Sequence, residues 1–150
     1  MAFASKNDVI SNRVPAPTPA DCDLTIPAFT QNCVTADSAL NNVGVIGILP
    51  AGYLPKFASV DSLAGLGGSA AVSVGVLNAA GTDISTAAED GGAAWLTAQS
   101  VGSAAVGSIT RTAAMAKVKR SNVDRKIAVK FTTAGSAAGD LTLNLAYSAN

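Results

Sequence analysis

Three groups of residues in this chain could do chemistry: Cys22 and Cys33, the carboxylates Asp83, Glu89 and Asp90, and seven bases between positions 111 and 130. The cysteines are eleven positions apart and match no metal-ligand spacing. They would close a loop in an oxidising compartment or stay thiols in a reducing one, and both readings remain open. Glu89-Asp90 is the only adjacent carboxylate pair. Adjacency does not give the separation across a cleft that paired glycosidic carboxylates need. With Asp83 the pair could offer hard oxygen ligands to calcium, yet the spacing matches no calcium loop, so a solvated acidic loop is the better reading.

The chain contains no histidine, which removes the commonest general base and the commonest zinc ligand together. Gly65, Gly67 and Gly68 precede neither a helix nor a Lys-Ser/Thr pair, so they form no phosphate cradle. The expectation is a protein with no catalytic residue, no cofactor and no metal ligand.

The bases remain. Arg111, Lys117, Lys119, Arg120, Arg125, Lys126 and Lys130 are opposed locally only by Asp124, although the formal net charge is zero. Lys117, Lys119, Arg120 and Arg125 are candidates for a patch that docks on an acidic protein surface. Nucleic acid is a poorer partner, because no aromatic residue interrupts the loop at 119–126. The competing reading is that these bases line the solvent faces of two strands.

The elements that would carry these residues are strands. From Lys126, the residues Ile127, Val129 and Phe131 fall on one face of an extended segment; Leu141, Leu143, Leu145 and Tyr147 do the same after a small-residue loop at 134–139. The pattern predicts an antiparallel hairpin. Val43–Leu49 is a continuous apolar run ended by Pro50-Ala51-Gly52, as expected of a strand buried on both faces. Residues 53–60 continue extended, with Pro55 placing them toward an edge. Val72, Val74 and Val76 alternate in the next strand; residues 82–92 read as an acidic loop with one helical turn; Trp95-Leu96-Thr97-Ala98 starts another strand, its tryptophan a core residue. Residues 101–110 show little contrast, and residues 112–119 read as a strand by continuity with their neighbours.

About seven or eight short antiparallel strands without a long helix make an all-β, jelly-roll-like β-sandwich spanning residues 43–150. Residues 1–42 differ. They hold Pro15, Pro17, Pro19 and Pro27, which deny backbone donors and favour extended geometry. The apolar residues Val9, Ile10, Val14, Leu24, Ile26 and Phe29 recur among them, more than a solvated linker needs. This segment reads as an arm whose binding residues are those six with Pro15, Pro17 and Pro19, or else as a disordered leader or a segment packed on its own domain. Removing residues 1–30 is expected to leave a folded sandwich. No run is long enough for a membrane span, and Met1-Ala-Phe-Ala-Ser-Lys lacks the apolar stretch of a signal peptide, so retention in a cytoplasm is expected.

The layout of these elements is similar to that of the small decoration, or cement, proteins of tailed bacteriophage capsids. The features that carry the resemblance are the Pro-rich arm, the Leu49-Pro50-Ala51-Gly52 turn, the valine-rich strand and Gly81-Thr82. Further along come the lone Trp95, Asp124-Arg125 before Ile127-Ala128-Val129-Lys130-Phe131, and the terminal Leu-Thr-Leu-Asn-Leu-Ala-Tyr strand. The resemblance implies a homo-oligomer, a trimer, on the outer capsid surface of a virion assembled in the host cytoplasm. It would bridge subunits of the major capsid protein. A carbohydrate- or receptor-binding sandwich of a phage fibre is the alternative, which the chain's seven aromatic residues support only thinly.

Overall fold

The computed structural model describes residues 24–149 together with Ala2–Phe3, Ile10 and Pro15. Its strands are β1 (Ala2–Phe3), β2 (Ala28–Cys33), β3 (Val43–Leu49), β4 (Leu54–Asp61), β5 (Ala71–Val76), β6 (Leu96–Ser100), β7 (Arg125–Thr133) and β8 (Gly139–Ser148). They form a five-stranded sheet in the order β1-β3-β7-β5-β6 and a three-stranded sheet in the order β2-β8-β4. All pairings are antiparallel except the short β1–β3 contact.

The core lies between the sheets. Ile127, Val129 and Phe131 are opposite Val76, Val74 and Val72 in the β5–β7 ladder, so one apolar face of the large sheet comes from two adjacent strands. Leu141, Leu143, Leu145 and Tyr147 supply the facing surface, and all four are fully buried. Each such side chain contributes on the order of 2 kcal/mol by leaving water. Gly47 is on the inward face of β3, where an added Cβ would come 2.9 Å from a Phe29 ring carbon and 3.2 Å from Leu143. The opposite face of the large sheet is covered too. At Gly75 a Cβ would meet Ile84 at 2.6 Å, so residues around 84 and 94 lie against the back of β5.

Three expectations are corrected. The strands β7 and β8 are not a hairpin: β7 lies between β3 and β5, while β8 lies between β2 and β4 in the other sheet. Both have one apolar face, and those faces meet across the core. Alternation reports which face is buried, not which strand lies alongside. The intervening loop crosses between sheets and is held by Gly135 N–H to Ser38 O (2.9 Å) and Ser136 N–H to Leu66 O (2.8 Å).

Residues 112–119 are not a strand. Ala113–Lys117 is a single helical turn, α1, whose N-cap Thr112 accepts a bond from Met115 N–H at 3.3 Å. Alanine and methionine favour helix, and the turn puts Met115 into the core.

Finally, β2 lies inside the stretch expected to be an arm. Its burial alternates, with Phe29, Gln31 and Cys33 inward, so it is an edge strand of the sandwich. A deletion of residues 1–30 would cut into it.

Candidate docking surface

The bases expected to form a docking patch divide into two pairs. Arg125 is turned inward: its Nε is 3.0 Å from Asp90 Oδ1, and its Nη atoms donate to Lys119 O (2.6 Å) and Glu89 O (3.3 Å). One guanidinium thereby ties β7 to the 3₁₀ turn Ala88–Asp90 and to the strand's own approach loop. Arg120 donates to Gly52 O (3.4 Å) and to Ala149 O, which holds the 50–53 turn against the end of β8. Lys117 and Lys119 are exposed and stay available to a partner. Lys130 lies beside Asp83, with Nζ 2.8 Å from Oδ2. Its hydrogen bond, with one from Ile84 N–H, holds the Asp83 carboxyl below its usual range.

Of the arm residues, Val9, Val14, Pro17 and Pro19 lie outside the described residues. Ile10 is half-buried and Pro15 exposed. Phe29 is 2% exposed and belongs to the core, because its position on β2 points it at Gly47. It is committed to packing within its own chain. Leu24 and Ile26, just before β2, are exposed, Ile26 at 58%.

Ile26 belongs to a feature the sequence did not reveal. The outer face of the three-stranded sheet carries a groove of about 330 Å³, walled by Ile26, Phe57, Val106 and Ile109 over a floor that includes Asn144 and Ala146. Val106 and Ile109 are 76% and 75% exposed. They are held there because their segment adds to the outer edge of β4: Ala58 and Thr110 exchange backbone bonds at 3.0 and 2.9 Å, and Ser62 and Ala105 at 2.9 and 2.8 Å. The polar groups of the groove bond one another. Asn144 Nδ2 donates to Asp61 Oδ2 (2.7 Å) and Ser59 Oγ (3.2 Å), and Gly107 N–H donates to Asp61 Oδ1 (2.9 Å). What remains for a partner is mostly hydrocarbon. In the small-residue stretch 101–110 the sequence holds three large aliphatic residues, of which Val101 is core while Val106 and Ile109 wall the groove, and nothing in the local pattern separates them.

With this geometry in view, the chain can be set beside solved structures. It superposes on a chain of the capsid of Ralstonia phage GP4 with a TM-score of 0.76 and 21% identity, covering 99% of this chain and 97% of that one. The fold is a jelly-roll-like β-sandwich. A chain from the cyanophage Pam1 capsid asymmetric unit also matches, at a TM-score of 0.42 and 17% identity over 91% and 92% of the two chains. No protein-family model matches, and no curated protein does either.

Among the described residues, no group of three or more His, Cys, Asp or Glu side chains could hold a metal ion. Cys33 is buried at the end of β2, and Cys22 lies outside the described residues. Tyr147 has its hydroxyl pushed up to about 12 by burial, next to the ring of Tyr53 at 5.4 Å, and so stays protonated at any ordinary pH. Trp95 is also core: its Nε1 donates to Asp90 O at 3.0 Å. No described helix is long and apolar enough to cross a membrane.

Proposed function

We propose that this protein is a structural component of a tailed-phage virion that binds the outer capsid surface and stabilises the shell by bridging subunits of the major capsid protein. The observation that carries the reading is the end-to-end fold match to a chain of a phage capsid, which leaves almost none of either chain over. Three features of the molecule support it. The groove around Ile26, Val106 and Ile109 presents hydrocarbon whose polar neighbours are already paired, as a protein-binding surface does. Lys117 and Lys119 extend from the body near α1. The Pro-rich sequence between β1 and β2 favours extended geometry and would add a contact to a second subunit, and several weak contacts made together hold far better than any one alone.

Cosedimentation with the phage's own shells tests the proposal. The full chain should pellet saturably with shells and raise the temperature at which they release DNA. A chain lacking residues 4–20, a deletion that keeps β1 (Ala2–Phe3) and stops short of β2, should bind roughly tenfold or more weakly. A full chain that stays in the supernatant rejects the capsid role and puts a glycan-binding module first, which a glycan array would then probe. Unchanged affinity of the truncated chain would remove the arm from the attachment device and leave the groove.

A further inference from the structure

A β-sandwich has four sheet edges, and each exposes a row of backbone donors and acceptors that another chain can pair with unless something blocks it. Among the described residues, two of the four are blocked and a third is partly covered. The outer side of β3 pairs with β1 at Val43 and Gly44, β1 being two residues long. The outer side of β4 carries the bridges to Ala105 and Thr110. At the edge strand β6 the backbone is kinked by Ala98, whose φ of 49° breaks the extended geometry a partner strand would need.

The fourth edge is β2, and no described strand pairs with its outer side. Thr25 and Tyr147 exchange both backbone bonds at 2.9 Å, and Pro27 O accepts from Leu145 N–H at 3.2 Å, so the odd-numbered residues face β8. Because antiparallel ladders alternate, the N–H and C=O groups of Ala28 and Thr30 point away from the sheet, where no described strand lies. The missing donor of Pro27 faces inward and does not interrupt them. The segment also lacks the usual guards. Residues 24–36 contain no charged side chain, and β2 shows no register shift along its length.

We infer that β2 is a self-association edge, on which the β2 of a second copy pairs antiparallel about a two-fold axis to make one continuous six-stranded sheet. The occupant is a second copy because the edge complements itself. With Ala28 opposite the partner's Thr30, each residue meets both a donor and an acceptor, no like charges are brought together, and both open edges close at once. Leu24 then lies level with the partner's Val34, two exposed apolar side chains that the pairing would cover. The inference stands apart from capsid attachment and is tested with no shell present.

The full chain should have twice the 14.8 kDa chain mass by sedimentation and light scattering across the micromolar range. In that species the amide protons of Ala28 and Thr30 should exchange slowly, and dilution to the monomer should release them. Ala28→Lys combined with Thr30→Lys, both at exposed positions, places like charges opposite one another and should halve the mass while leaving the circular dichroism spectrum unchanged. A monomer throughout the concentration range overturns the inference. So does a trimer, since this edge closes only in pairs, or a dimer whose Ala28 and Thr30 amides exchange freely. A double-lysine chain that keeps the wild-type mass overturns it as well.

Discussion

Gly47 shows how one side chain's absence positions a core. On the inward face of β3, a hydrogen in place of a methyl lets the Phe29 ring and Leu143 approach the backbone of the opposite sheet. A methyl there would come 2.9 Å from a ring that is itself 2% exposed and has nowhere to turn. Gly47→Ala should therefore destabilise the fold by about 1–3 kcal/mol, read as a lowered urea midpoint at unchanged slope. The same midpoint in the variant and the wild type would mean that the two sheets can separate enough to admit the methyl. Phe29 itself illustrates the limit of sequence reading at this scale. An aromatic two residues after a proline, in a segment full of prolines, looks like an arm contact. Only the pairing of its strand with β8 makes it core.

Hydrogen bonds between elements hold the loops to the sheets, and one of them responds to pH. Asp83, in the turn after β5, is held by Lys130 of β7, and this bond more than the one from Ile84 N–H lowers its pKa from the usual 3.8. A carboxylate with a depressed folded pKa adds stability that is present above its unfolded value and is lost as pH falls through the folded one. Lys130→Met should therefore cost stability at neutral pH and progressively less as the pH drops below the usual carboxylate range. Urea midpoints of both chains across that range check this; a parallel offset at every pH would mean that Lys130 acts through packing alone.

The elements were legible to unequal degrees. Strands with real contrast, such as Leu141 to Tyr147 or Val72 to Val76, announced themselves by the two-residue period. Their partners did not, because period carries no information on neighbours. The α1 turn was hidden by an Ala/Lys alternation without apolar contrast. Half of the basic candidates proved to be internal ties: Arg120 and Arg125 spend their donors on backbone carbonyls that no local pattern could have placed nearby. The groove on the small sheet was illegible for a related reason. Its walls come from residues 26, 57, 106 and 109, and each stretch is unexceptional alone.

Over the whole molecule, the chain shuttles between sheets: β2 is in the small one, β3 in the large, β4 in the small, β5 and β6 in the large, then β7 in the large and β8 in the small. Neither sheet is a contiguous piece of sequence, and the inward side chains of the two share one core. No half of the sandwich can keep its apolar face covered once the other half opens. The fold should therefore unfold in one cooperative step despite its thin, small-residue core. Trp95 makes this measurable, because it is fully buried next to β5, with its backbone N–H to Val74 O at 2.7 Å, and reports on the surroundings of that strand. Far-UV circular dichroism reports on both sheets. The two transitions should coincide in urea, and refolding should fall in the millisecond-to-second range typical of non-local β pairing. A tryptophan transition clearly separated from the dichroism one would show that the sheets open independently. In that case the ties made by Arg120, Arg125 and Lys130, rather than the shared core, would be what holds the sandwich closed.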